Sequence, residues 1–245
     1  MSRLDTVQWG TDQLRVGPWR GDHRIAYVAP APGHPPATAA LGQCLRMLSE
    51  RNYVSVLTSA LSPAEQHPFL ALGFSVHEHL HLLRRHLDGA IADPGAGSGP
   101  AVANRRGRRG DRADVLAVDH RAFNPFWRFD QVGLNDARGA TPVSRFRVVA
   151  ADGVVVGYAV TGRAGPISYL QRLAVDPDHQ RQGIARALVL DALRWAQRRG
   201  ATTMLVNTQE QNIPALTLYR QLGFVLELDG LDVLERDLDQ AGPPG

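Results

Sequence analysis

A chain of 245 residues, 44% of them hydrophobic, can bury a substantial core in one large or two small domains, which excludes a disordered or fibrous protein. The net charge of +3 is mild and its excess lies after Pro100; every Lys/Arg-type cation is arginine, so the chain has no lysine of its own to modify. A single cysteine, Cys44, excludes an internal disulfide, and no apolar run reaches the length of a membrane span, so a cytoplasmic protein is expected.

Residues 1–24 hold Trp9, Leu14, Val16 and Trp19 among polar residues and predict one or two short strands. RIAYVAP, ending at Pro30, predicts a strand, PGHPP a rigid turn, and Thr38–Arg51 a helix with an apolar face through Leu41, Leu45 and Leu48. Cys44 falls on that helix, where a buried, inert thiol is expected. YVSVLTSAL predicts the next strand. Ser62 followed by Pro63 is a helix start, and that helix ends at Gly73-Phe74, before a last strand SVHEHLHLLRR.

DGAIADPGAGSGP, residues 88–100, has no apolar periodicity and predicts a tether. Its GAGSG lacks the strand before, the helix after and the Lys-Ser/Thr ending of a phosphate loop. AVANRRGRRGDR follows as an arginine-rich strand or loop, with Asp111 placed to cap a helix through Val115, Leu116, Val118 and Phe123. RFRVVAADGVVVGYAV is a hairpin about Asp152-Gly153. It leads into an apolar strand from Ile167, a polar turn, and a long amphipathic helix to Arg199. Thr202–Thr208 then predicts a strand, Ile213–Leu222 a helix with Asn212 as its cap, and Val225–Arg236 a strand.

The order helix, strand, short helix, Gly-Phe, strand therefore occurs twice, as expected of an internal duplication. The copies differ in chemistry. The second enters its long helix through Gln180-Arg181-Gln182-Gly183-Ile184-Ala185; the first has Pro35 and Pro36 there, which cannot donate hydrogen bonds. Counting back from each Gly-Phe, Tyr219 of the second copy is matched by Phe69 of the first, without a hydroxyl.

A glycine-entered helix start behind a strand suits an anion. The first N–H groups of the helix point outwards, the dipole favours negative charge there, and Gly183 lets a ligand approach the backbone. The side chains of Arg181 and Arg186 add charge. The pattern Gln180-x-x-Gly183-x-Ala185 after LAVDP resembles the acetyl-CoA motif of the GNAT superfamily of N-acetyltransferases, and a second block, Asn212-x-x-Ala215-x-x-Leu218-Tyr219-x-x-x-Gly223-Phe224, follows at the family's distance. The resemblance covers roughly Ala101 to Leu238. It implies an α/β (α+β) GNAT fold, a mixed central sheet flanked by helices, with a second, smaller, degenerate GNAT-like lobe. The division expected is 1–87 degenerate lobe, 88–100 linker, 101–238 catalytic domain and 239–245 disordered tail. In its two-lobe plan the chain is also similar to the mycothiol synthases.

What the resemblance implies about chemistry is an acetyl-CoA-dependent transfer to a primary amine of a small molecule or a peptide, by direct attack on the thioester. Leu173, Ala174 and Val175 would pair with the pantetheine arm through main chain. Gln180, Arg181, Gln182, Gly183, Ile184, Ala185 and Arg186 would hold the diphosphate, and Asn212 would lie near the arm while also capping its helix. Tyr219 would donate a proton to the departing sulfur, its phenol being a weaker acid than a thiol. The carboxylate that some members carry at the start of the central strand is missing, since Ile167, Ser168 and Tyr169 stand there. Glu210, Asp119 and His120 are the remaining candidates for a base through water, each expected as a solvated surface group. A non-catalytic acyl-CoA-binding module is the alternative. His77, His79 and His81 share one strand face without a ligand-spaced partner, so no metal is expected. The run Arg105, Arg106, Arg108, Arg109, Arg112 has no interleaved aromatics and is expected as a solvated basic edge, with no nucleic-acid partner expected.

Overall fold

The computed structural model describes residues 4–31, 34–92 and 102–238. Most of the tether expected at 88–100, and the tail expected at 239–245, lie outside the described residues. By contacts the chain forms two compact units, one drawn from Met1–Leu82, Gln209–Gln211 and Leu228–Gly245, the other from Leu83–Thr208 and Asn212–Glu227.

The first unit opens with a meander, β1 (Asp5–Trp9), β2 (Asp12–Trp19) and β3 (Asp22–Pro30). These are longer strands than the composition of residues 1–24 suggests. Left-handed residues make the tight turns that permit them: Gly10 at φ +60°, then Arg20 at +48° and Gly21 at +85°. Helix α1 (Thr38–Glu50) buries Leu41, Cys44, Leu45 and Leu48, the i, i+3, i+4, i+7 face of its sequence, and returns the chain to β4 (Ser55–Thr58) parallel to β3. Burial pushes the Cys44 thiol up to about 12, which keeps it inert. Only the middle of YVSVLTSAL is strand; Leu61 instead makes an isolated bridge to Asp232. Helix α2 (Pro63–Leu70) starts on a capping box, with the Ser62 N–H and hydroxyl both donating to Glu65 Oε2 at 2.9 and 2.7 Å. Strand β5 (Ser75–His86) follows.

The second unit contains β6 (Arg105–Arg106), α3 (Arg112–Ala122), α4 (Gln131–Gly139), β7 (Val143–Ala151), β8 (Val154–Ala164), β9 (Ile167–Val175), α5 (Ile184–Arg198), β10 (Thr203–Gln209), α6 (Ile213–Gln221) and β11 (Val225–Leu226). Its sheet runs β10-β9-β8-β7-β6, antiparallel except for the β9–β10 pair. Alternate residues of the long strands feed two cores. Val149, Leu170 and Val175 pack with Leu188, Val189 and Leu193 of α5 and with Leu216 of α6; Val148, Tyr158 and Val160 pack with Val115 and Val118 of α3 and Leu134 of α4. The β7–β8 hairpin turns through Asp152 at φ +50° and Gly153 at +83°, the type I′ geometry expected of Asp-Gly.

Two segments depart from expectation. Asp111 does not cap α3 with its side chain; its carboxylate takes two bonds of 2.7 Å from Arg105 and one of 2.6 Å from the Arg108 N–H, and these hold its pKa down at about 2. The run from Val225 to Arg236 is two strands rather than one: β11 pairs with Leu83 and Arg84, and β12 (Leu231–Asp237) inserts between β4 and β5 of the first unit. The first unit's sheet order is therefore β1-β2-β3-β4-β12-β5. Leu234, fully buried, is the reason β12 goes there, packing in one core with Leu14, Val28, Leu48 and Phe69.

The repeated order is visible in both units as strand, helix, parallel strand, short helix, Gly-Phe. Gly73 and Gly223 have φ of +80° and +77°. Phe69 meets Phe74 edge to face at 5.3 Å, and Tyr219 meets Phe224 at a tilt at 5.6 Å between ring centroids.

Candidate active site

The second unit's sheet comes apart at one place. Parallel pairing of β9 with β10 is confined to Ile167–Thr203, Ser168–Met204 and Tyr169–Leu205. On its other side β9 remains paired with β8 as far as Val175–Gly157, with an irregularity that leaves Gln171 as the extra residue between Leu170 and Arg172. Leu173, Ala174 and Val175 thus lie beyond the β10-paired stretch, with β8 on one edge. A backbone edge released in mid-sheet is a strand's worth of donors and acceptors for an extended amide-bearing ligand. The equivalent strand of the first unit does not open in this way: β3 pairs with β4 up to Val28–Thr58 and ends two residues later.

Directly after β9 comes the polar turn. Arg181 at φ +59° and Gly183 at φ +79°, ψ 0°, are both left-handed, with Gln182 between them not, the alternation of backbone hand on which the N–H groups of an anion nest are built. Gln180, Arg181, Gln182 and Gly183 are exposed. Helix α5 begins at Ile184 with no side-chain cap and no acidic residue in its first turn, leaving its N-terminal N–H groups and positive dipole end facing outwards. Ile184, 5% exposed, anchors this start: its Cγ2 lies 2.7 Å from where a Cβ on Gly157 would stand, so the glycine of β8 is what lets the helix come down onto the sheet. Ala185 packs against the same core and Arg186 is half-buried. The turn is braced from α3, where Arg121 reaches Asp176 at 3.1 Å and Asp178 at 2.7 Å. The first unit's counterpart is closed to such a role, because α1 enters from Ala37 at φ −60°, ψ 142° after two prolines.

Asn212 caps α6, its side-chain oxygen accepting from the Ala215 N–H at 3.2 Å. Tyr219 on α6 is 4% exposed, and burial raises its phenol pKa, which keeps the proton on at any physiological pH. A neutral buried phenol is a donor.

Asp119 is not the solvated group expected. It is 0% exposed and accepts from Arg172 at 2.8 and 2.9 Å, from the Tyr158 hydroxyl at 2.5 Å and from the Phe129 N–H at 2.7 Å. The Arg172 guanidinium also donates to the Trp127 carbonyl and lies over the rings of Phe123 and Phe129 at 3.4 and 4.0 Å. With every lone pair engaged and a cation beside it, this carboxylate is a structural anchor between α3 and β9. A polar residue at an apolar position of α3, opposite an arginine in a strand, is the one sequence signal of it. His120 is exposed and bonded to the Phe129 carbonyl at 2.8 Å; Glu210 is exposed. In the first unit His77 and His79 are engaged by Glu235 at 2.8 Å and Asp232 at 2.6 Å.

The profile of the Acetyltransferase (GNAT) family matches residues 113–224, the stretch that contains the released strand, the turn and Tyr219. A mycothiol acetyltransferase of Saccharomonospora viridis is 33% identical over 131 residues, covering 46% of this chain and 42% of that protein. The [Ribosomal protein bS18]-alanine N-acetyltransferase of Escherichia coli K12 is 36% identical over 73 residues, 30% of this chain and 49% of that protein. The chain thus spans less than half the length of either relative. Among solved structures, a tandem GNAT protein from the clavulanic acid biosynthesis pathway superposes with a TM-score of 0.66 at 16% identity, covering 100% of this chain and 85% of that one, a likeness of fold. Strand, turn, helix and profile coincide over one segment, and the chain carries over residues 113–224 a domain of the GNAT acetyltransferase family.

Proposed function

We propose that the protein is an acetyl-CoA-dependent N-acetyltransferase, acting on a primary amine of a small molecule or a peptide. The observation that carries this reading is the parting of β9 from β10 after three residue pairs, directly ahead of an uncapped helix start with left-handed Arg181 and Gly183. The fit is physical. The main-chain N–H groups from Gln182 to Arg186 suit a diphosphate, with Gln180, Arg181 and Arg186 around it, and the free edge of Leu173, Ala174 and Val175 suits the two amides of a pantetheine arm. Acetyl-CoA supplies the activated acyl group.

Tyr219 would donate to the departing sulfur; burial keeps its phenol protonated across the working range, so it stands there as a hydrogen-bond donor and not as a base. Asn212 keeps α6, and so Tyr219, in place through its cap. Since Asp119 is held by Arg172, the amine's proton does not go to that carboxylate, and exposed Glu210 and His120 remain the groups that could take it through water.

Thiol release from acetyl-CoA over a panel of amines, peptides and aminoglycosides tests this directly. An acceptor that raises thiol release, with the effect reduced in Tyr219→Phe, supports the transferase. Tight acetyl-CoA binding with no responsive acceptor, and no change in Tyr219→Phe, replaces it with the acyl-CoA-binding module, the reading that the missing β9 carboxylate favours.

A further inference from the structure

The irregularity in β9 decides which side chains face which way. Leu170, Leu173 and Val175 pack towards α5, and Met204 and Val206 of β10 share that core. Tyr169 and Leu205, the last pair before the two strands part, therefore face the opposite side of the sheet, that of α3. The extra residue puts two consecutive side chains of β9 on that side. Arg172 reaches Asp119 of α3. The Gln171 carboxamide lies against Gly162, the residue of β8 paired with Tyr169: a Cβ on Gly162 would stand 2.8 Å from both Cδ and Nε2 of Gln171, and closer still to the Thr141 hydroxyl.

The two neighbours differ in what holds them. Arg172 is fully engaged, by Asp119, by the Trp127 carbonyl and by the rings of Phe123 and Phe129. Gln171 has a buried Oε1 that accepts no hydrogen bond among the described residues. A buried amide oxygen without a donor is unfavourable, and the Thr141 hydroxyl beside it donates to the Val143 carbonyl at 3.0 Å. With no bond on that oxygen, and a last torsion that is broad for glutamine, the carboxamide can turn to meet a donor brought from outside.

Its position says what brings the donor. Gln171 follows the last paired residue of β9 by two, as exposed Asn207 follows that of β10, so on the α3 face two carboxamides flank the opening. A pantetheine arm paired with Val175, Ala174 and Leu173 runs back from the Gly183 turn towards this parting and brings its sulfur there. The α5 face is filled by core that includes Tyr219, which leaves the α3 face for the acceptor. A carboxamide has no charge with which to hold a second cation, whereas its oxygen suits an amide N–H.

We infer that Gln171 is a specificity-determining residue for the acetyl transfer, accepting a hydrogen bond from an amide N–H next to the acceptor's amine, and that the acceptor is an α-amino amide. This rests on the transferase reading, and the test separates the two. The probes are glycinamide and glycine methyl ester, whose amines are of similar basicity and of which only the first has the amide N–H. Thiol release from acetyl-CoA is followed for the wild type, Gln171→Leu and Gln171→Glu, and the melting temperature of each coenzyme A complex is recorded with and without the probes. The wild type should show a lower KM for glycinamide than for the ester. In Gln171→Leu the glycinamide KM should rise roughly tenfold, the worth of one hydrogen bond, with the ester KM and coenzyme A affinity unchanged. Gln171→Glu keeps an accepting oxygen and should restore the preference. Each comparison is between two acceptors of one variant, so a difference in the amount of folded protein cancels. A KM lower for triglycine than for glycinamide marks a peptide amino terminus as the acceptor; the reverse marks a small amide. Glycinamide that stabilises the coenzyme A complex of the wild type and not of Gln171→Leu, without thiol release, keeps the contact and removes the transferase reading. Thiol release with other amines but not glycinamide, equal use of amide and ester, or an undiminished preference in Gln171→Leu overturns the inference and leaves the transferase in place. Neither stabilisation by glycinamide nor thiol release with any acceptor overturns both.

Discussion

Phe69 and Tyr219 occupy matching places, each five residues before the Phe of a Gly-Phe pair and each packed on it, and they differ by one oxygen. Tyr219→Phe should therefore leave packing and stability nearly intact while lowering kcat by about 10²-fold, the lower range for loss of a positioned general acid; steady-state kinetics beside a thermal melt checks both halves. A loss of melting temperature matching the loss of rate would reduce the tyrosine to a core residue. Asp119 calls for the opposite result. Asp119→Ala strands the Arg172 cation, itself mostly buried, and should cost about 3–5 kcal/mol in urea unfolding, as breaking one side of a buried pair does. The tyrosine was legible because the second family block fixes its position. Asp119 was not, since its partners Tyr158 and Arg172 lie 39 and 53 residues away and nothing local announces them.

At the scale of elements, the start of α5 is set by a residue on another strand. Gly157→Ala places a methyl 2.7 Å from Ile184 Cγ2 and 3.3 Å from the Ala174 carbonyl oxygen. The helix must lift, at about 1–3 kcal/mol for an overpacked contact. Coenzyme A binding, measured calorimetrically, should weaken although residue 157 belongs to no ligand-facing segment; unchanged affinity would show that the turn tolerates a displaced helix. The elements that carry strong local signals were legible: α5 by its apolar stripe, the β7–β8 hairpin by Asp152-Gly153, α6 by the Asn212 cap. Helix α4 had only Asp130, which accepts from the Gly133 N–H at 2.7 Å, and one buried residue, Leu134. Nine residues with a glycine at the third and last positions leave no periodicity to read. The short pairing of β9 with β10 had no residue of its own either; the family resemblance alone implied it.

For the whole molecule, the boundaries expected from composition and those drawn by contacts lead to different fragments. A piece comprising residues 101–238 keeps Leu234 and Leu238, whose partners Leu14, Val28 and Phe69 it lacks, and omits Leu83 and Leu87, which sit in the core with Leu188 and Trp195. It should be poorly soluble or melt well below the full chain, and scanning calorimetry of the two decides it; equal melting temperatures would mean that these side chains contribute little. The division by repeat was legible from the two Gly-Phe units. The destination of β12 was not, because an alternating strand reads the same whichever sheet receives it.

That destination has a consequence for how the protein is made. A strand placed between β4 and β5 leaves the ribosome only after Leu83–Thr208 and Asn212–Glu227 have been translated, so the part synthesised first cannot close its sheet until nearly all the rest has emerged. The usual amino-terminal-first order of co-translational folding does not apply: every residue of the second unit is made before β12, and the amino-terminal unit waits, its β4 edge unpaired, for residues made more than 170 positions later.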